Sequence, residues 1–108
     1  MKKNVSLTLN KQFKRLYYRG KSTVDPLIVT YAIRNKLDYC RIGITASKKI
    51  GNAVHRNRAR RIIKAAIREA NLPKSGWDFV FVARSKTPYS KSTIILPVIT
   101  KQIETLTK

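Results

Sequence analysis

One cysteine, Cys40, and one histidine, His55, are all the chain holds of either residue, so it can build neither an internal disulfide nor a zinc site with Cys/His spacing. Cys40 reads as a small strand residue rather than a nucleophile. No apolar run approaches the roughly 20 residues of a membrane-spanning helix. The opening Met1-Lys2-Lys3-Asn4-Val5-Ser6 lacks the unbroken apolar segment of a secretory signal, so a cytoplasmic location without a membrane partner is expected. Repeats, low-complexity tracts and Gly/Ser linkers are missing as well, and 108 residues predict one domain, 1–108, around a single modest core.

Acidic residues are the scarcest class relative to their counterpart. Asp25, Asp38, Glu69, Asp78 and Glu104 stand against 24 Lys plus Arg, for a formal charge of +19. These five are scattered and form no local pair of the kind a protein-based Mg²⁺ nuclease gathers, although folding can still bring some together. His55 has no carboxylate nearby in sequence to orient it as a general base. Neither a catalytic residue nor a metal ligand is therefore assigned to this chain. At 43% hydrophobic residues the chain is too apolar for a disordered tail, so the charge must sit on a folded domain. Self-repulsion of that size weakens a compact state unless a polyanion relieves it, and a phosphate backbone is the partner best suited to do so.

Residues 10–20 carry an N-cap candidate at Asn10, Phe13, Leu16 and Tyr17 at helical spacing, and a terminating Gly20, which predicts a short first helix. After the turn-prone Asp25-Pro26, Leu27 to Ile33 and Tyr39 to Ala46 are rich in β-branched and aromatic residues and predict two strands paired as an antiparallel hairpin. In the second of these, Ile42, Ile44 and Ala46 alternate with Gly43, Thr45 and Ser47, so one face is core and the other small and polar. That second face leaves room for a ligand or is simply solvated. A long helix from about Ala53 to Ala70, ended by Asn71-Leu72-Pro73, precedes a strand from Trp77 to Ala83. Ser90 to Lys108 resembles a closing helix, in which Pro97 fits regular structure only if that structure begins close to it.

The long helix separates into two arcs at about 100° per residue. Ala59, Ile62, Ile63, Ala66, Ile67 and Ala70 face a sheet, whereas Arg56, Asn57, Arg60, Arg61, Lys64 and Arg68 face away, with Arg58 at the edge of that group. A solvated charged face normally interleaves acids for i,i+4 pairs. Here Glu69 is the sole acid, and like charges at 56, 60, 64 and 68 each cost a few tenths of a kcal/mol unless an anion lies over them. Lys48, Lys49 and Gly51 lead into the same N-terminal end, where the helix dipole and free N–H groups also favour phosphate. Phe13 and Tyr17 share a face of the first helix and Tyr31 lies in the first long strand. Exposed, these rings would stack on unpaired bases; taken singly, each is more simply explained by core packing.

The stretch Ala46-Ser47-Lys48-Lys49-Ile50-Gly51-Asn52-Ala53-Val54-His55-Arg56-Asn57-Arg58-Ala59-Arg60-Arg61 resembles the signature of the bacterial ribonuclease P protein family, a strand ending in Ser-Lys-Lys-x-Gly-x-Ala-Val followed by Arg-Asn-Arg at the head of a long helix. The resemblance continues through Phe13 to Gly20, Tyr31, Arg41 to Gly43 and Phe79 to Arg84. Tyr17 stands where a Phe is common and Thr45 where a Ser is common, so a ring and a hydroxyl are retained. The resemblance implies an α+β fold: a two-layer α/β sandwich with a mixed, mainly antiparallel four-stranded sheet and three helices in the order α-β-β-β-α-β-α. It also implies a topology related to a domain of ribosomal protein S5, with a left-handed crossover around the Arg-rich helix.

It further implies two RNA partners, the catalytic RNA of ribonuclease P and precursor tRNA. Arg56, Asn57 and Arg58 would contact the catalytic RNA, together with Lys48, Lys49 and Arg68. A cleft for the single-stranded 5′ leader of precursor tRNA would be lined by Phe13, Tyr17, Val29, Tyr31, Thr45, Ser47, Arg60, Arg61 and Lys64. Mg²⁺ would serve the RNA-based active site of the holoenzyme and have no protein ligand. No obligate protein partner is implied, and dimerisation of the holoenzyme is left open. The expected function is that of a ribonuclease P subunit promoting endonucleolytic removal of the leader. The alternatives are a ribosomal or RNA-assembly protein without a role in tRNA processing, and a small self-sufficient ribonuclease.

Overall fold

The computed structural model describes residues 5–7 and 9–108. In chain order the elements are β1 (Val5–Ser6), α1 (Asn10–Arg19), β2 (Lys21–Val24), β3 (Ile28–Arg34), β4 (Arg41–Thr45), a 3₁₀ turn at Lys48–Ile50, α2 (Ala53–Glu69), β5 (Trp77–Ala83), a second 3₁₀ turn at Thr87–Tyr89, and α3 (Ser92–Leu106). The sheet runs β1-β4-β5-β3-β2. β2 with β3 and β3 with β5 are antiparallel, while β1 with β4 and β4 with β5 are parallel. The mixed sheet and three helices agree with expectation. A fifth strand, β1, was not foreseen, because two residues are too short to show alternation.

The expected hairpin between β3 and β4 does not form. β5 lies between them, parallel to β4 and antiparallel to β3. The β3–β4 connection is instead stitched to the entry of β5: Asn35 N–H donates to the Gly76 carbonyl at 2.8 Å, and Asn35 Nδ2 donates to Asp78 Oδ1 at 2.6 Å. Hydrophobic periodicity fixes which face of a strand is buried but not which strand lies beside it.

Strand alternation distributes the core over both faces. Ile28, Ala32, Phe79, Phe81 and Ala83 join Ala59, Ile63, Ala66 and Ile67 of α2 and Ile95, Ile99, Ile103 and Leu106 of α3 in one cluster. Ile42 and Ile44 pack against it. The opposite face carries a smaller cluster of Leu7, Leu16 and Val80, flanked by Phe13, Tyr31, Ile33 and Val82. The two-layer body of sheet and α2/α3 therefore gains a partial cover from α1 on the other side.

Helix ends show local corrections. Leu9, not Asn10, is the N-cap of α1, and Gln12 Oε1 accepts from the Leu9 N–H at 3.1 Å. Gly20 is extended (φ −73°) rather than left-handed. It is required by close approach, since a Cβ there would lie 2.5 Å from the Leu16 carbonyl oxygen and 3.0 Å from that of Ala32. Pro97 lies inside α3, with regular helix beginning upstream at Ser92. Burial of Ile95, Ile99 and Ile103 outweighs the one backbone hydrogen bond that proline forgoes. Gln102, buried on the same helix, is fully partnered: Oε1 accepts from Thr30 Oγ1 at 2.6 Å, and Nε2 donates to the Ile28 and Thr23 carbonyls. These bonds fix the seat of α3 on β2 and β3. Cys40 is buried one residue ahead of β4, its thiol directed to the Pro73 carbonyl. Among the described residues no helix is long and apolar enough to cross a membrane.

Candidate nucleic-acid interface

The turn between β4 and α2 is built by its own sequence. Gly51 has φ +137°, a conformation that side-chain-bearing residues rarely adopt. Asn52 caps α2, its Oδ1 accepting from the His55 N–H at 3.1 Å and lying 2.8 Å from His55 Nδ1. Arg56 folds back, donating from Nη1 to the Gly51 carbonyl at 2.8 Å, so it leaves the row formed by Arg60, Lys64 and Arg68. Lys48 and Lys49 stay exposed on the 3₁₀ turn just ahead.

On the α1 side of the sheet, β4 presents Arg41, Gly43 and Thr45 in succession. Arg41 is consumed by an ion pair with the buried Asp78. Its Nε and Nη2 reach Asp78 Oδ1 and Oδ2 at 2.9 and 2.6 Å, and this hydrogen bonding raises the pKa of the guanidinium above its ordinary value. Gly43 is covered by Phe13, whose ring edge would lie 2.6 Å from a Cβ placed there. Beyond it, Thr45 is open.

Two depressions meet along β4, between the α1-covered face of the sheet and α2. One, of about 500 Å³, is lined by Tyr17, Val29, Tyr31, Thr45, Ser47, Val82 and Arg60. Tyr17 stands edge-on to Tyr31 with ring centroids 5.0 Å apart, and 41% of Tyr17 remains exposed. The other, of about 1020 Å³, runs between Val5–Leu7, Phe13, Ile42 and Gly43 on one wall and Val54, Asn57, Arg60, Arg61, Lys64 and Arg68 on the other. Arg60 and Ile44 belong to both, so the two form one continuous groove. Arg60 Nη1 donates to Asn57 Oδ1 at 3.1 Å, and Nη2 leans toward the Ala46 carbonyl at 3.5 Å. Among the described residues, no acidic side chain lines either part.

All nine residues expected in the leader cleft thus line this groove. Of those expected on the catalytic-RNA surface, Asn57 and Arg68 share its α2 wall, whereas Arg58 lies on the other flank of the helix, facing Tyr89 and Lys91. Sequence reasoning missed the β1 wall and Val82; the alternation of β5 would have supplied Val82. Tyr89, 73% exposed in a Thr-Pro-Tyr turn, carries no periodic signal at all. Among the described residues, no three His, Cys, Asp or Glu side chains converge as metal ligands would.

Comparison with known proteins follows the same lines. The sequence model of the Ribonuclease P family matches residues 1–106. The ribonuclease P protein component of Clostridioides difficile (strain 630) is 46% identical over 81 residues, covering 72% of this chain and 70% of the relative. That of Clostridium novyi (strain NT) is 43% identical over 90 residues, covering 81% and 80%. Among solved structures, the RNase P protein of Staphylococcus aureus superposes with a TM-score of 0.79 at 28% identity over 98% of this chain and 97% of that one. The RNase P protein from Thermotoga maritima does so with a TM-score of 0.71 at 27% identity, over 94% and 93%. A family match across nearly the full length, on a chain whose groove is walled by arginine and tyrosine, places this protein in the bacterial ribonuclease P protein family, the protein components of that ribonucleoprotein endonuclease.

Proposed function

We propose that this chain holds the catalytic RNA of ribonuclease P and the single-stranded 5′ leader of precursor tRNA together in the cytoplasm, and so promotes leader removal without performing the chemical step. The observation that carries this reading is the groove that joins at Arg60, with unpaired cations on its α2 wall and exposed aromatic edges at its far end. Cations spaced along a helix neutralise successive phosphates, and tyrosine faces take bases irrespective of sequence. An extended single strand fits both demands; an A-form duplex hides its base faces and fits only the first.

Catalysis on this reading is positional and electrostatic. The protein supplies no metal ligand, and Mg²⁺ serves the RNA. Cationic side chains between two RNAs reduce their mutual repulsion, which lowers the Mg²⁺ needed to bring them together. Product lacking the leader loses the groove contacts and leaves. Binding of precursor tRNA to the reconstituted holoenzyme, with and without its leader, tests the proposal. A protein-dependent gain confined to the leader-bearing substrate is expected; equal gains for both would refute it.

A further inference from the structure

On the opposite flank of α2 lies a separate depression of about 540 Å³, lined by Arg58, Arg61, Ile62, Pro88, Tyr89, Ser90 and Lys91. Its construction differs from that of a solvated surface. The 3₁₀ turn that carries Tyr89 is pinned by buried Thr87 and Pro88, and Thr87 Oγ1 donates to the Leu27 carbonyl at 2.6 Å while accepting from the Arg84 N–H at 2.8 Å. An anchored turn thereby presents a ring that is 73% exposed. His55, itself oriented by Asn52, lies with its ring centroid 5.7 Å from that of Tyr89. Among the described residues, three cations and no acid line the site.

We infer that this depression is a second RNA site, in which an unpaired nucleotide of the catalytic RNA stacks on Tyr89 with its phosphates held by Arg58 and Lys91. Three like charges around one hollow repel one another until an anion enters. An exposed tyrosine carried on a turn anchored by its buried neighbours adds a face for a base, with only two side-chain torsions to fix. The ligand that offers both an anion and a π-face at this spacing is a nucleotide. Arg58 and Ile62 of this hollow lie on the opposite flank of α2 from Asn57, Lys64 and Arg68 of the leader groove. A leader lying in the groove would have to pass over α2 at Arg61 to reach Tyr89, which leaves the second site to the other RNA. The inference rests on the proposed function and adds to it a defined contact.

The test uses the full-length protein with ribonuclease P RNA, comparing wild type, Tyr89→Ala, Tyr89→Phe and Lys91→Ala. Stacking predicts that Tyr89→Ala weakens catalytic-RNA binding roughly tenfold with an unchanged salt slope, while Tyr89→Phe binds as wild type does. Lys91→Ala lowers the salt slope instead. Chemical probing of the catalytic RNA should show an unpaired nucleotide protected by wild type and Tyr89→Phe and exposed with Tyr89→Ala. The leader-dependent gain should be the same in wild type and Tyr89→Ala. Wild-type affinity in Tyr89→Ala, equal losses in Tyr89→Ala and Tyr89→Phe, or a loss of leader discrimination would each overturn the inference. Failure of the wild-type protein itself to bind the catalytic RNA or to favour leader-bearing substrate would overturn the proposed function instead.

Discussion

The ring of Phe13 lies over Gly43, so close that a Cβ at position 43 would sit 2.6 Å from Cε1 of Phe13, 2.9 Å from its Cζ and 3.2 Å from Leu7 Cδ1. A small residue on β4 thus lets an aromatic residue of α1 sink onto the sheet and become part of one wall of the groove. In Gly43→Ala the ring must swing outward. Overpacking at one methyl beside a movable ring is expected to cost about 1 kcal/mol in denaturant unfolding, and to lower affinity for leader-bearing precursor tRNA more than for leaderless tRNA. If leader discrimination survives the substitution, Phe13 does not touch the leader.

Arg60→Ala and Lys64→Ala test the opposite wall. Both side chains line the groove, and each is expected to neutralise one phosphate of a single strand. The dependence of log affinity on log salt should become shallower by about 0.7 for each variant. Arg60 should cost more affinity than Lys64 at fixed salt, because Asn57 Oδ1 already orients its guanidinium and less freedom remains to be lost on binding. Unchanged salt slopes in both would remove these residues from the RNA-binding surface.

How much of this was legible beforehand depends on which residue is asked about. The interior row of α2 was readable because Ala59, Ile63, Ala66 and Ile67 recur at the helical period and are indeed buried; the basic residues opposite them could only be exposed. Arg56 departs from that reading, since Gly51 turns the chain so that its carbonyl meets the guanidinium, a contact that no wheel represents. Phe13 and Tyr17 looked equivalent from their spacing. Gly43 separates them, admitting Phe13 into contact while Tyr17 stays over Tyr31. The adjacency of β5 to both β3 and β4 was hidden because it depends on the path of the whole α2 crossover, a non-local property that alternation within one strand does not record.

Arg41 and Asp78 offer a stability test on the same sheet face as the groove. They are register partners on adjacent parallel strands, and Asp78 is only 2% exposed. Arg41→Ala would leave that carboxylate buried with Asn35 Nδ2 as its remaining donor, so a loss of about 3 kcal/mol is expected from equilibrium unfolding. Replacing both partners together, as Arg41→Met with Asp78→Leu, should recover most of the loss, because no uncompensated charge remains. A double variant as unstable as the single one would show that the pair contributes net stability beyond satisfying its own buried charge.

Pro97 provides a test that should leave RNA binding alone. It follows five helical residues of α3 and is exposed, so its ring contributes little buried area while denying the helix a hydrogen bond to the Thr93 carbonyl. Alanine inside a helix is favoured over proline by about 3 kcal/mol. Part of that gain is offset because proline also restricts the unfolded chain, an effect of up to about 1 kcal/mol. A net stabilisation of about 1 to 2 kcal/mol is therefore expected for Pro97→Ala, a rise in Tm of several degrees for a domain of this size. Pro97 lines a shallow hollow with Thr23, Val24 and Asp25 and none of the residues proposed to meet RNA, so affinity for catalytic RNA and leader should be unchanged. A fall in Tm would mean that what the proline ring contributes beside the β2 edge outweighs the missing backbone bond.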